Sequence, residues 1–152
     1  MSKWYLVLLV PMLQACADDS LYDSNKHFEE AVWRTTDTAV FEVPVSDTLR
    51  PLHFIANLRV SKTYAYSNVW VFLYTTSPQG VLTKDTLEFM LADPSGRWMG
   101  KGIGEFLEYD IVFKYKTFFP KIGTWRFAFE QGMRSDDLQG ISSFGFRIIP
   151  TE

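Results

Sequence analysis

The sequence predicts an all-β fold, a single antiparallel β-sandwich of immunoglobulin-like or jelly-roll type. Aromatic residues make up 16 % of the 152 residues, and such side chains favour the half-buried surface of a pleated sheet. From Thr38 onward, apolar and polar residues alternate with a period of two, and no stretch keeps a helical period. Turn-forming residues separate these alternating segments, as in sandwiches built from short strands.

Seven segments carry the strand pattern. In the first segment, every second position is apolar, and these positions hold Ala39, Phe41, Val43 and Val45. The continuous apolar run at residues 69–74 predicts a strand covered on both faces. The other predicted strands cover residues 52–60, 86–91, 109–115, 125–129 and 144–149, with turn signals at residues 77–80, 93–96, 120–123 and 136–140. The order of the strands is left open.

The N-terminus has the layout of a lipoprotein signal peptide. A positive charge at Lys3 precedes a short apolar run, and Leu13-Gln14-Ala15-Cys16 resembles a lipobox. The apolar run is shorter than the roughly 20 residues that span a bilayer. We therefore expect a signal peptide at residues 1–15 and acylation of Cys16, which anchors the protein to a membrane.

The expected domain organisation follows from this layout. Residues 16–36 are predicted to be the lipidated N-terminus and a tether, with a short helical turn near residues 28–33, and residues 37–152 the sandwich. Cys16 is the only cysteine, so no intrachain disulfide can form. The net charge is −3 and the chain has no basic run, which excludes nucleic acid as an expected partner.

The sequence offers no catalytic, cofactor or metal motif, and we predict no catalytic residue, cofactor or metal ligand. His27 and His53 are far apart, one in the predicted tether and one on the polar parity of a strand. The glycines at positions 100, 102 and 104 lack the spacing of a phosphate loop. A bulge, a positive φ or the close approach of another strand or of an aromatic ring explains them better, and Trp98 is a candidate for that ring.

A repeated Asp-(Ser/Thr) pattern resembles the acceptor pattern of periplasmic O-glycosylation in Bacteroidetes. It makes Ser20, Thr38, Thr48 and Thr86 candidate sites. The same dipeptides commonly begin turns. Both interpretations stay open for Ser20, whereas expected burial in a strand favours the structural one for Thr86.

Several motifs carry a resemblance to a known family. They are Asn57-Leu58-Arg59, Tyr64 with Tyr66-Ser67-Asn68, Asp85-Thr86-Leu87-Glu88, the long run from Leu91 to Gly104, Phe119-Pro120 with Gly123, Gln131-Gly132-Met133-Arg134, and Gly140-Ile141 with Gly145-Phe146-Arg147-Ile148. With the lipobox, they span nearly the whole chain. In these features the chain resembles the gliding-motility lipoprotein GldH family of Bacteroidetes.

The resemblance implies a lipid-anchored lipoprotein of the cell envelope, needed for gliding and the associated type IX secretion machinery, without catalytic activity or cofactor. Asp18 and Asp19 resemble acidic export signals, and we expect the outer membrane, with the leaflet open.

Two functional hypotheses follow. The first is a non-enzymatic accessory lipoprotein that contacts envelope proteins of the gliding and type IX secretion systems. Its candidate contact residues, which combine aromatic and basic character near turns, are Tyr64, Tyr66, Arg97, Trp98, Lys101 and Arg134. The alternative is a carbohydrate-binding envelope lipoprotein of sandwich type, which would need an exposed aromatic platform. The oligomeric state is left open.

Overall fold

The structure, a computed structural model, describes residues 20–151. The predicted signal peptide, Cys16 and the acidic pair at positions 18 and 19 lie outside the described residues. Within them the chain forms two four-stranded antiparallel sheets and one two-stranded sheet, as the all-β sandwich prediction requires.

The described residues contain ten strands and one short 3₁₀ turn. They are β1 (Tyr22–His27), the 3₁₀ turn (Glu29–Ala31), β2 (Val32–Arg34), β3 (Ala39–Val45), β4 (Leu52–Ser61), β5 (Asn68–Thr76), β6 (Leu82–Met90), β7 (Phe106–Thr117), β8 (Gly123–Gln131), β9 (Asp137–Gln139) and β10 (Ile141–Pro150). The seven strands predicted from alternation correspond to β3 to β8 and β10.

Strand pairing decides between the two sandwich types. One sheet has the order β1-β10-β4-β7, and the other β3-β8-β5-β6. The eight long strands are thus nested in pairs, first with last, β3 with β8, β4 with β7, and β5 with β6. This is a long antiparallel hairpin rolled into two sheets, which is the jelly-roll arrangement.

The core lies between the two sheets and is rich in phenylalanine. Every side chain of β3 that points inward is buried, as the alternation of its residues predicts. Phe146 of β10 is fully buried, and six aromatic rings surround its ring at centroid distances from 4.9 to 6.1 Å. These rings belong to Tyr22, Phe41, Phe54, Phe113, Phe127 and Phe129. Both sheets contribute to this cluster, which therefore joins them.

The predicted tether at residues 16–36 differs from the structure over its described part. β1 pairs along its whole length with β10, from Tyr22 opposite Ile148 to His27 opposite Ser143. β2 pairs with β9, which lies within the predicted turn at residues 136–140. Trp33 is fully buried and stacks on Phe28 at 4.9 Å. The alternation of apolar and polar residues in β1 is weak, because the side chains on its less exposed face include those of Ser24 and Lys26.

The prediction that residues 69–74 are covered on both faces is wrong. Val69, Val71 and Leu73 point into the core, whereas Trp70 is exposed on the outer face of its sheet. Phe72 and Tyr74 share that face and are partly covered by the Lys84 amine, 4.1 and 5.2 Å from the two ring centroids. In a two-layer sandwich no further layer covers the outer face.

The antiparallel strands place their connections at two ends. We call one the entry end, because the chain enters β1 there, with Leu21 donating its N–H to the Ile148 carbonyl at 2.8 Å. Its loops are residues 46–51, 77–81 and 118–122. The opposite end, the far end, has the loops at residues 62–67, 91–105 and 132–136.

The central position of Phe146 gives the first prediction. Phe146→Ala should lower the free energy of unfolding by about 3–5 kcal/mol, because it leaves a cavity between the sheets. Phe118→Ala, at a side chain that is half exposed, should change it by less than about 0.5 kcal/mol. Urea unfolding followed by tryptophan fluorescence measures both. Equal losses in the two variants would contradict a core centred on Phe146.

Candidate docking groove

The long far-end loop begins with a turn organised by one carboxylate. Asp93 Oδ1 accepts hydrogen bonds from the Ser95 hydroxyl at 2.6 Å, the Ser95 N–H at 2.9 Å and the Arg97 N–H at 3.0 Å. The Arg97 guanidinium lies 3.1 Å from Asp93 Oδ2. These bonds, first of all that from the Ser95 hydroxyl, hold the pKa of the Asp93 carboxyl below its usual value. The turn predicted at residues 93–96 is confirmed.

The glycines that follow have steric roles, as the sequence analysis expects. A Cβ at Gly100 would lie 2.5 Å from the ring of Tyr109, and Gly102 and Gly104 have φ angles of +153° and +94°. The ring that requires Gly100 is therefore Tyr109 and not the candidate Trp98. Tyr109 is buried and donates its hydroxyl to the Leu91 carbonyl at 3.0 Å, so it ties the loop to the core.

Beside this loop lies a groove of about 630 Å³ along the free edge of β7. The backbone of Lys101 pairs with that of Glu108 in both directions, at 2.9 and 2.7 Å, and holds the loop against the edge. The groove combines apolar and charged side chains. Its lining includes Met90, Met99, Ile103, Phe106 and Ile111 with Arg59, Lys101, Glu108 and Asp110.

Exposed apolar side chains are the main feature of the groove. Ile103 is completely exposed, and Met90 and Met99 are about half exposed. The flanking glycines turn the chain so that Ile103 projects from the loop into solvent. Methionine is an adaptable contact residue at protein-binding surfaces, and apolar patches with a polar rim mark interaction sites.

Three of the four charged groups of the groove keep their charges available, whereas Asp110 pairs with Arg147 at 3.6 Å. The Arg59 guanidinium lies over the Phe106 ring at 5.2 Å. Within residues 20–151, the side-chain ion pairs use neither Arg59, Lys101 nor Glu108. The rim therefore offers charges of both signs to a partner.

The six predicted contact residues all lie at the far end, but they do not form one surface. Tyr64 is buried, and its hydroxyl donates to the Asn68 carbonyl at 3.0 Å. Burial raises the pKa of the Tyr64 phenol well above its usual range. Tyr66 is partly exposed and packs edge-on against Tyr64 at 5.5 Å. It lines a separate cavity of about 170 Å³.

The other four predicted contact residues differ in exposure. Trp98 is half-buried and packs against the core. Arg97 is exposed but paired with Asp93, whereas Lys101 lines the groove. Arg134 is exposed in a loop fixed by buried Gln131, whose amide donates to the Ser135 carbonyl at 2.7 Å. Lys101 alone of the six therefore lines the groove.

Sequence reasoning missed the apolar lining of the groove. Met90, Met99 and Ile103 look like ordinary core residues in a chain that is 47 % hydrophobic. An isoleucine between two glycines in a loop could have indicated exposure, since a loop has no core face to bury it.

The candidate glycosylation residues lie in different settings. Thr86 is exposed on β6, so the burial expected for it is wrong. Ser20, Thr38 and Thr48 are half-buried. The Asp47 carboxylate accepts the Leu49 N–H at 2.8 Å, which is the turn geometry that the structural interpretation of Thr48 requires.

The described residues offer no metal centre, since no group of three or more His, Cys, Asp or Glu side chains converges among residues 20–151. His53 Nδ1 accepts the Lys116 N–H at 3.3 Å, and its ring packs against Tyr115. In the part of the chain that the structure describes, no helix has the length and apolar character to cross a membrane.

Comparison with known proteins decides the family. The family model described as GldH lipoprotein matches residues 20–148. The chain belongs to the GldH lipoprotein family. It is 27 % identical over 154 residues to the protein named "Gliding motility lipoprotein GldH homolog" from Christiangramia forsetii, covering 97 % of this chain and 94 % of that protein.

A second relative is the "Gliding motility lipoprotein GldH" of Flavobacterium johnsoniae, 28 % identical over 150 residues, with 94 % of this chain and 92 % of that protein covered. No solved structure matches the chain. Membership in a lipoprotein family supports a lipid-anchored protein of the cell envelope. The family resemblance stated from the sequence motifs is confirmed.

The contact between Gly100 and Tyr109 gives the second prediction. Gly100→Ala should lower the free energy of unfolding by about 1–3 kcal/mol, because the added methyl overlaps a buried ring. In a Tyr109→Ala background the same substitution should cost less, since the ring is gone, and the remaining cost comes from the Leu107 Cβ, 2.9 Å from the added methyl. A double-mutant cycle from urea unfolding measures the coupling. An equal cost of Gly100→Ala in both backgrounds would exclude the ring as its cause.

Proposed function

We propose that this GldH-family lipoprotein is a non-enzymatic accessory component of the gliding and type IX secretion machinery. It acts through protein–protein contacts made at the far-end groove, while acyl chains on Cys16 hold it to the membrane. The observation that carries the docking site is the completely exposed Ile103 beside half-exposed Met90 and Met99. Family membership supports the cellular role, because both relatives are named gliding motility lipoproteins.

The composition of the groove supports a protein as its occupant. A protein interface combines an apolar centre with a charged and hydrogen-bonding rim. Here Ile103 and Met99 supply apolar area, and Lys101 and Glu108 supply charge at the edge. Beyond the pairing with Lys101, β7 is an edge strand of its sheet, so a partner could also add a strand there.

The position of the groove relative to the anchor also supports docking. The groove lies at the far end, whereas the described chain begins at the entry end. The ten residues of β10 span about 30 Å at roughly 3.4 Å per residue. A protein that is anchored near the entry end and stands upright on it presents the groove away from the lipid, where partner proteins can reach it.

The third prediction tests the groove directly. The tagged lipoprotein is purified from cross-linked, detergent-solubilised envelope, and its partners are identified by mass spectrometry. Wild type should recover gliding or type IX secretion components. Ile103→Asp should reduce that recovery roughly 30-fold, because a central apolar anchor contributes about 2 kcal/mol or more to binding.

A matched control is Val40→Asp, which also places a carboxylate at an exposed aliphatic position, on the outer face of β3. Its recovery of partners should equal that of wild type. Arg134→Ala and Tyr66→Ala test the other candidate contacts at the far end. Recovery unchanged by Ile103→Asp but lost with Arg134→Ala would move the contact surface to the loop at residues 132–136.

One observation favours the alternative of carbohydrate binding. Trp70 is exposed on the outer sheet face, with a polar pair beside it in which the Asn68 amide donates to Glu88 at 2.6 Å. An exposed tryptophan with polar neighbours can stack on a sugar. The platform is small, however, because the Lys84 amine covers Phe72 and Tyr74.

The fourth prediction compares the two functions. The docking proposal expects no calorimetric binding of envelope polysaccharide by wild type. Binding that is lost in Trp70→Ala and kept in Ile103→Asp would support the carbohydrate alternative instead.

A further inference from the structure

We propose that the entry end of the sandwich is a membrane-contacting surface, whose apolar loop side chains insert among the headgroups of an anionic lipid layer beside the anchor. The inference rests on the proposed acylation of Cys16. The entry end adds a second contact with the membrane, made by protein side chains, and this contact fixes the orientation of the whole domain.

The first observation is the distribution of exposed apolar side chains. The six most exposed large apolar side chains of the described residues are between 62 % and 103 % exposed. Ile103 lies in the far-end groove. The other five lie in or beside the entry-end loops, and they are Leu49, Val81, Leu82, Tyr115 and Ile122. Half-exposed Phe118 lies in the same group of loops.

These loops meet at one place. Val45, which precedes the loop at residues 46–51, pairs with Gly123 at the end of the loop at residues 118–122. A Cβ at Gly123 would lie 2.8 Å from the Pro78 ring, so the loop at residues 77–81 packs against the same point. Leu49, Val81 and Ile122 thus belong to three adjoining loops at one end of the molecule.

The second observation is the reach of the chain to its anchor. The described chain joins the sheet at Leu21, whose N–H bonds to the Ile148 carbonyl. Five residue steps separate Cys16 from Leu21, and an extended chain covers at most about 3.6 Å per step. The entry end therefore stays within about 18 Å of the acylated residue.

The far end cannot contact the lipid while the domain stands upright. β10 alone is about 30 Å long, which exceeds the reach of the segment between Cys16 and Leu21. A domain so tethered either stands on its entry end or lies on one side. Burying the apolar side chains of three loops favours standing, since insertion of apolar area into the headgroup region stabilises interfacial proteins.

The third observation is charge. The loops at residues 46–51, 77–81 and 118–122 carry Arg50 and Lys121 against one acid, Asp47, and Lys116 at the end of β7 adds a third positive charge. The acids Asp18 and Asp19 belong to the segment between Cys16 and the domain and not to these loops. This excess of positive charge stands in a chain whose net charge is −3. Basic side chains beside apolar ones are typical of surfaces that bind anionic lipid.

The experiment uses site-specific fluorescence in the acylated full chain. Acylation blocks the thiol of Cys16, the only cysteine, so one introduced cysteine carries the label alone. Ile122→Cys and Leu49→Cys test the entry end, and Ile103→Cys is the matched control at the far end. Each labelled protein is reconstituted into phosphatidylethanolamine–phosphatidylglycerol vesicles with an environment-sensitive fluorophore.

The labels at positions 122 and 49 should shift their emission to the blue and be quenched by lipids carrying a shallow nitroxide. The label at position 103 should behave as in water. Lys116→Glu with Lys121→Glu should reduce the quenching at position 49 in these vesicles, and thermal unfolding checks that this variant is folded.

The outcomes separate the inference from its premise. A label at position 122 as water-exposed as that at position 103, in a protein whose acylation is verified by mass spectrometry, overturns the membrane contact and leaves the anchor intact. An unmodified Cys16 in the mature protein overturns the anchor, and the inference with it. Neither result bears on the docking groove, which is tested in detergent.

Discussion

The aromatic cluster between the two sheets is the contact on which the remaining architecture depends. Phe146 lies on β10, which pairs with both β1 and β4 in one sheet, and its ring also contacts rings from the opposite sheet. Burial of apolar area is the dominant force in folding, and each aromatic pair adds about 0.5–1.5 kcal/mol beyond its area. The two sheets are therefore held in one relative orientation, which fixes the distance between the entry end and the far end of the sandwich.

This fixed relation keeps apart the two surfaces proposed above, the docking groove at the far end and the membrane contact at the entry end. The far end carries a long loop that Tyr109 and Asp93 hold in place, with Ile103 projecting beside the β7 edge. The entry end carries apolar and basic loop tips next to Leu21, where the described chain joins the sheet. A rigid sandwich can thus separate a lipid-facing surface from a protein-facing one by its own length.

The strands were predictable because each repeats a local pattern. In β3 the alternation of apolar and polar residues matches burial position by position, since successive side chains of a strand point to opposite faces. The same logic failed for β1, whose inward face is partly polar, and for β5, where both parities are apolar but only one is covered. The alternation of residue types along a strand indicates whether each face of the strand is apolar or polar. It does not indicate which other part of the protein covers that face.

The sequence by itself determined the class of fold, the positions of seven strands, the steric role of the glycines near position 100 and, through its motifs, the family. These depend on residues close together in the chain. Only the tertiary structure decided the jelly-roll order, the partner ring of Gly100, and which apolar residues stay exposed. Those features depend on contacts between distant segments, such as β1 with β10, and no local pattern specifies which segments meet. The docking groove and the entry-end surface therefore emerged only when the strands were assembled.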